Sequence, residues 1–582
     1  MTIDPVTTEV VSSRLREIAA TMEYALYHAG YSPILRESKD GTAGLVDANG
    51  RMVIISGGLQ YHSLPYEQAV ASVLKRYPRD KLRPGDSYIV NDPYQGGNPH
   101  VPDMIVVTPA FHEGVLIGFG ASIAHKADLG GLVPGSSGAA AREIYHDGLL
   151  LPPVKYQTAD GINEIVEAII RSNSRVPDVV LGDLRGQAGC TRIGAERLAL
   201  LCDEYGRDAV LDVMKSVIAL TARRTRAEIA EWKDGTASAE GFLDHDGAVL
   251  DKPVRINVKI TKKGDRLTLD FSGCSPQTMG PVNVNSSTAK AVSLLAVLAA
   301  SDPTIPMNSG TAEAVEFIMP EGLVVSPKHP ATVNHYFPTS HIVYNCVLSA
   351  LGQINPARAV SPSGMGTGAI AIGYEEARSG KRAVQYEIIV TALGGTSRSD
   401  GATIVQPMNH ITPGAPVEIV ESEYPVRVRR FDIWTDSAGA GEYRGGFGYV
   451  RDYEVLTDCI FTARTSNHRF SAWGTAGGQS PRTSRTTINP DRADRESLGP
   501  IESRRLKAGD VLRLERSGGA GYGNPLARDP MAVLDDVKNG YISLAAAADS
   551  YGVVLDEKGL SVDAAATETR RDKMRMRPGA AQ

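Results

Sequence analysis

Two copies of one short pattern carry the most usable chemistry in this sequence. His100-Val-Pro-Asp103 and His125-Lys-Ala-Asp128 both read H-x-x-D. Five of the 12 histidines, His62, His100, His112, His125 and His146, fall between positions 62 and 146. Imidazole nitrogens and carboxylate oxygens are suitable ligands for a zinc, manganese or iron dication. Each copy lies at the edge of an apolar run beside a turn. Asn91-Asp92-Pro93 precedes the first and Gly130-Gly131 follows the second. Loops at strand ends are where a scaffold gathers such groups into a pocket. A histidine bonded to a nearby carboxylate in a polar turn makes the same pattern, so the doubled motif leaves both readings open.

Other chemistries fail on inspection. The Gly-Lys pair at Gly380-Lys381 is followed by Arg382, not by the Ser or Thr of a phosphate-binding loop. Gly364-Met-Gly366-Thr-Gly368 leads into a strand and Gly519-Ala-Gly521-Tyr-Gly523 into Asn524-Pro525, so neither opens a helix as a dinucleotide fingerprint must. Both read as tight turns. No Gly-x-Ser-x-Gly elbow occurs. Cys346 sits in HIVYNCVLSAL, which reads as a helix core rather than a nucleophile site.

The elements that must position the histidines follow from periodicity and turn residues. Thr7–Tyr31 reads as a helix, with Val10, Leu15, Ile18, Met22 and Leu26 on one side. In GLVDANGRMVII, Asn49-Gly50 separates two apolar runs and predicts a hairpin. SYIVND, DMIVVTPAF and VLIGFGASIAH predict strands. Asn163–Trp232 is helical in pattern, and VRINVKITKKGDRLTLDFSG returns to strands. NVNSSTAKAVSLLAVLAAS predicts a buried helix, Ser361–Pro525 strands and glycine turns, and Ala532–Ser550 a small helical unit before a polar tail.

The expected fold class is α+β, in five regions. These are an N-terminal α/β part over 1–160 that carries the candidate metal site, a helical segment over 161–235 and an α+β region over 236–360. A strand-rich region over 361–530 and a small helical unit with the tail over 531–582 complete the chain. Glycine at 59 and proline at 34 residues agree with a turn-rich, strand-containing protein. Lys+Arg of 61 against Asp+Glu of 67 gives a net charge of −6, which argues against nucleic acid as partner. The five cysteines form no Cys-x-x-Cys pair, which fits a reducing compartment. No secretory pattern opens the sequence and the longest apolar run, Ala289–Ala300, is too short for a membrane span. The expectation is a soluble cytoplasmic protein.

Longer blocks are similar to a known family. NDPYQGGNPHVPDMIVVTP, ASIAHKADLGGLVPGS and EIYHDGLLLPPVKY resemble the hydantoinase B / 5-oxoprolinase family, as do LDFSGCSPQTMGPVNVN, EYPVRVRRFDIWTDSAGAGEYRGGFG and GDVLRLERSGGAGYGNP further on. The likeness runs from about Thr7 to Leu555. Members include N-methylhydantoinase and caprolactamase beta subunits and the alpha subunits of acetone and acetophenone carboxylases. The resemblance implies a divalent metal, zinc or manganese, on Asp40, His100, Asp103 and His125. Asp128 then becomes a partner that orients a ligand or moves protons, with His146 as the other proton-moving candidate. Two departures bear on substrate identity. Lys126 stands where many members have a second histidine, and Phe337-Pro338-Thr339-Ser340-His341 replaces a Glu-Thr-Ser-Gln-type segment.

The function implied by the resemblance is the beta subunit of an ATP-dependent cyclic amide hydrolase. It would open a hydantoin, oxoproline or lactam ring beside a separate ATP-binding hydantoinase A-type subunit, in a hetero-oligomer of α2β2 type. The ring would be activated by phosphorylation or through carboxyphosphate made from bicarbonate. The alternative is a biotin-independent ketone carboxylase subunit of the acetone or acetophenone type. A pure scaffold for the ATP-binding subunit gives no reason to cluster metal-suited side chains.

Overall fold

A computed structural model of the chain describes residues 4–136, 138–376, 380–405, 408, 414–556, 558–559 and 561–576. The site-bearing part is a seven-stranded sheet made of β1 (Gly41–Asp47), β2 (Met52–Ile55), β3 (Ser87–Val90), β4 (Asp103–His112), β5 (Val115–His125), β6 (Val154–Thr158) and β7 (Gly161–Ile162). Its strand order is β2-β1-β5-β4-β3-β6-β7, and every neighbouring pair is antiparallel. The mixture of helix and strand expected here thus takes the form of an antiparallel sheet covered by helices, without βαβ crossovers.

Both faces are covered, so β1 and β3 are buried at every position. On one face Val11, Leu15, Met22 and Leu26 of the Pro5–His28 helix pack with Leu198 and Leu201 of the Pro177–Tyr205 helix over Leu45 and Ile117. The opposite face buries Tyr66, Ala69, Val70 and Val73 of the Ser63–Arg76 helix against Ile105, Phe119 and Ile123. The Asn49-Gly50 hairpin forms as expected. Gly50 takes φ 85°, and the Asp47 carboxylate accepts the backbone N–H groups of Asn49 and Arg51.

A second sheet, in the order β11-β10-β9-β8, comprises β8 (Gly235–Leu243), β9 (Val254–Lys263), β10 (Arg266–Asp270) and β11 (Val315–Ile318). It shares a core with the buried Ser286–Ala299 and Tyr336–Ile354 helices, and Cys346 is fully buried in that core. The strand-rich part holds β12 (Gly368–Glu375), β13 (Arg382–Ile389), β14 (Val426–Ile433), β15 (Tyr449–Val455), β16 (Cys459–Arg464), β17 (Arg485–Ile488), β18 (Glu496–Leu498), β19 (Ile501–Leu506) and β20 (Val511–Glu515). They form two sheets, β13-β12-β16-β19 and β14-β15-β20-β17-β18, around Ile372, Tyr453, Phe461 and Leu512.

Gly519 and Gly521 do not make the tight turn that their spacing suggests. A Cβ on Gly519 would lie 1.9 Å from the Leu393 carbonyl oxygen, and one on Gly521 2.0 Å from that of Ala440. Glycine is needed there for backbone-on-backbone packing. Short helices at Pro530–Lys538 and Leu544–Tyr551 close the fold, followed by one at Ala564–Arg575 within the tail. Among the described residues no helix is long and apolar enough to cross a membrane.

Candidate metal centre

Strand register brings the ligand candidates together. β4 and β5 form a long hairpin whose turn, Glu113-Gly114, has positive φ at both residues. Asp103 is the first residue of β4 and His125 the last of β5, so they face each other across the ladder at its open end. β1 pairs with the other side of β5, with Gly41 opposite Ala124, and its preceding residue Asp40 reaches the same end. There the Asp40 carbonyl accepts the His125 backbone N–H at 3.1 Å. His100 comes from the loop before β4. The Asn98 side chain fixes that loop by donating to the carbonyls of Asn91 and His100.

The donor atoms form a near-equilateral triangle. His100 Nε2 lies 3.3 Å from His125 Nδ1 and 3.2 Å from Asp103 Oδ1, and His125 Nδ1 lies 3.2 Å from the same oxygen. All three side chains are buried. Asp40 Oδ2 stands 3.9 Å from His125 Nδ1. His100 Nδ1 faces the Asn334 carbonyl at 3.1 Å and must donate to it, so a neutral His100 turns the lone pair of Nε2 toward the Asp103 carboxylate. Facing lone pairs repel unless a proton or a cation lies between them. Ligands about 2.0–2.1 Å from a tetrahedral centre sit about 3.3 Å apart, which these edges match. The donor set and its spacing therefore fit a divalent metal.

Electrostatics agree with that fit. Burial, and then the neighbouring Asp103 charge, push the Asp40 carboxyl well above the usual range. Burial pushes His125 down to about 4, which keeps it neutral and able to ligate. Lys126 is fully buried and donates to Gln187 Oε1 at 2.7 Å and to the Ala124 carbonyl. It is a structural cation behind the site, not a solvated one.

The donors open into a small cavity whose other walls come from distant parts of the chain. Asp40, His100 and His125 form one side, and Tyr61, His335 and Tyr336 add a second. Tyr386, Ile388 and Arg464 from β13 and β16 form the third. Space for water centres is about 30 Å³. That is room for roughly two water-sized groups, less than an amide ring. The Tyr61 and Tyr336 hydroxyls lie 3.3 Å apart, and burial raises both phenols well above their usual range, so both stay protonated. The Gly364–Gly368 motif also serves this wall. Gly368 has φ 153°, and a Cβ there would lie 1.8 Å from the Arg464 carbonyl oxygen. The motif lets β12 begin directly against Arg464, where its spacing suggested a turn.

The structure does not bring Asp128 or His146 into the cavity lining. Asp128 is fully buried, but its oxygens accept from the backbone N–H groups of Gly130, Gly135 and Arg175 and from the Arg175 guanidinium. It clamps the 129–136 loop, and among the described residues it accepts from no imidazole. His146 is half-exposed and accepts the Arg142 backbone N–H. The next residue, Asp147, is the buried one. Thr332 donates to it, and burial raises its carboxyl to about 7. His341, buried in the Tyr336–Ile354 helix, bonds the Thr367 hydroxyl just before β12, while Phe337 of the same segment reaches the cavity. Residue spacing could not find Arg464, Tyr386, Asn334 or Tyr336. The one available signal was an arginine ending the otherwise uncharged strand CIFTAR.

The sequence pattern of the Hydantoinase B/oxoprolinase family matches residues 4–525, and the chain belongs to that family. The B-type subunit of a putative D-/L-hydantoinase from Pseudomonas sp. (strain NS671) is 31% identical over 576 residues, 95% of this chain and 96% of the relative. An acetophenone carboxylase delta subunit of Aromatoleum aromaticum is 25% identical, over 95% of this chain and 89% of its own length. The matching chain of that enzyme is named delta, where the sequence blocks pointed to an alpha subunit. The crystal structure of the ATP-dependent caprolactamase of Pseudomonas jessenii superposes with a TM-score of 0.89 at 26% identity, covering 98% of this chain and 100% of the other.

Proposed function

We propose that the chain is the ring-opening subunit of an ATP-dependent cyclic amide hydrolase. It would act on a hydantoin, oxoproline or lactam beside a separate ATP-binding, hydantoinase A-type subunit, in a hetero-oligomer of α2β2 type. The observation that carries this reading is the convergence of His100 Nε2, His125 Nδ1 and Asp103 Oδ1 within 3.3 Å of one another, beside a cavity that both histidines line. The full-length likeness to the B-type hydantoinase chain supports it.

An unstrained ring amide is a poor electrophile, so ATP spent by the partner would make it reactive. His100, Asp103 and His125, with Asp40 beside them, would hold zinc or manganese. Such an ion supplies carbonyl polarisation or a water acidic enough to ionise near neutral pH. This chain's own residues do the rest. The Asn334 carbonyl fixes the His100 tautomer, as an outer hydrogen bond does in metal sites. The Tyr61–Tyr336 pair keeps a hydroxyl proton to offer a substrate oxygen. Phe337 and Ile388 line the cavity beside the donors and supply apolar surface for the carbon skeleton of a ring.

The test is metal content together with ATP-dependent ring opening by the complex with its partner. Loss of both in His100→Ala is expected. A metal-free His100→Ala complex with full activity refutes the proposal. Likeness to the acetophenone carboxylase delta subunit favours a second reading, a metal-dependent ketone carboxylase with bicarbonate as co-substrate. Bicarbonate-dependent formation of a β-keto acid would select it.

A further inference from the structure

Arg464 is 3% exposed, yet among the described residues no carboxylate lies within ion-pairing distance of it. Its Nη1 donates to the main-chain and side-chain oxygens of Asn334, and its Nη2 to the Tyr386 hydroxyl. Its Nε–H is buried with no acceptor. The charge of Arg464 reaches Asp147, but that carboxyl is bonded to Thr332. A buried guanidinium left without a counter-charge is costly. Arg451 and Arg528, also buried, meet Glu387 and Asp536, and Arg516, buried without a carboxylate, instead donates to the Gly366 and Arg485 carbonyls and to the Thr486 hydroxyl, none of them a titratable group in a cavity.

A second donor stands beside it. The Tyr386 hydroxyl accepts from Arg464, which leaves its own proton for another acceptor, and among the described residues it has none. The Tyr386 ring stacks on His125 at 4.5 Å between centroids. Both side chains line the same cavity as His100 and His125. An unpaired cation and two unused N–H and O–H donors therefore belong to side chains that line one cavity with the candidate ligand histidines.

We propose that Arg464 and Tyr386 form an oxyanion subsite that takes the anionic group of the activated substrate. The chemistry recognised is a terminal anionic oxygen group, phosphoryl or carboxyl. The guanidinium supplies the charge and Nε–H, and Tyr386 supplies O–H. The subsite rests on the reading of this cavity as the ring-opening site. It explains how that site selects an ATP-activated ring over the neutral amide.

The test is calorimetric titration of the full chain, metal-free and metal-loaded, with inorganic phosphate, bicarbonate and acetate. The metal-free arm separates Arg464 from any anion bound by the metal, and the three anions distinguish a phosphoryl from a carboxyl source. Wild type is expected to bind at least one of them with a single site in the metal-free state. R464Q should weaken that binding by about tenfold or more, the worth of a hydrogen-bonded charge. R464K, which keeps the charge and is the variant to use if R464Q does not fold, should weaken it less. Tyr386→Phe should weaken it without changing metal stoichiometry. Undiminished binding in R464Q and Y386F, or no binding of any of the three by wild type, overturns the subsite. Arg464-dependent binding in a complex that opens no cyclic amide leaves the subsite standing and removes the hydrolase reading. Ring opening with undiminished anion binding in R464Q does the reverse.

Discussion

Replacing Asp147 with asparagine should change how the stability of this chain depends on pH. An ordinary aspartic acid titrates near 3.8, whereas burial raises Asp147 to about 7, against smaller opposing contributions from Thr332, Asn334 and Arg464. Between those values the folded chain holds a proton that the unfolded chain has released. Stability therefore falls as pH rises from about 4 to 7, and the whole penalty is present above 7. At about 1.36 kcal/mol per pH unit the full penalty is roughly 4 kcal/mol. Asparagine has the same shape and no charge to lose. It alters the hydrogen bonds to Thr332, Asn334 and the Val333 backbone, a cost independent of pH in this range. Relative to wild type, D147N should therefore gain roughly 2.5 kcal/mol between pH 5 and pH 8. Urea denaturation of the full chain, followed by circular dichroism for both proteins at both pH values, measures that gain. A wild-type-to-variant gap that stays constant across the two pH values would refute the reasoning, because it would mean that Asp147 is ionised throughout.

Three further outcomes follow from the geometry. His125→Ala removes one vertex of the donor triangle, so metal per chain by elemental analysis should fall from about one toward zero while the circular dichroism spectrum is kept. In Gly368→Ala the new Cβ meets the Arg464 carbonyl at 1.8 Å, so the chain should lose roughly 1–3 kcal/mol of stability, read as a lower thermal midpoint. Asp128→Asn loosens the 129–136 clamp, at a cost of about 1–3 kcal/mol. Its metal stoichiometry should stay at the wild-type value, because Asp128 bonds Arg175 and loop amides rather than a ligand.

The site was legible in the sequence where it is local and opaque where it is not. The H-x-x-D pairs could be read because a hairpin register maps Asp103 directly onto His125. Asp40 lies beyond that hairpin and emerged only through the family likeness, since nothing in its own segment marks a ligand. Asp128 and His146 were misplaced for one reason, that adjacency to a motif says nothing of which way a loop turns. The loop buries Asp147 and leaves its neighbour His146 half-exposed. The glycine motifs announced tight turns because that is the commoner use of glycine. Close approach of two backbones leaves the same mark and needs the partner segment to be known. Helices and strands with clear periodicity were visible. The pairing of β12, β13 and β16, which sets the Arg464 wall, depends on contacts between segments far apart in the chain.

The donor triangle and the wall facing it belong to different sheets. The hairpin of β4 and β5 and the end of β1 hold the metal-suited groups, and the ends of β12, β13 and β16 supply the surface that meets them across the cavity. Reactivity and selectivity are thus written in separate stretches of sequence and can be redesigned separately. Varying only Ile388, Ala369 and Phe337 re-shapes what the cavity admits without touching a ligand or the strands that aim it. A library confined to those positions would search substrate range at constant chemistry, and every member should retain wild-type metal stoichiometry.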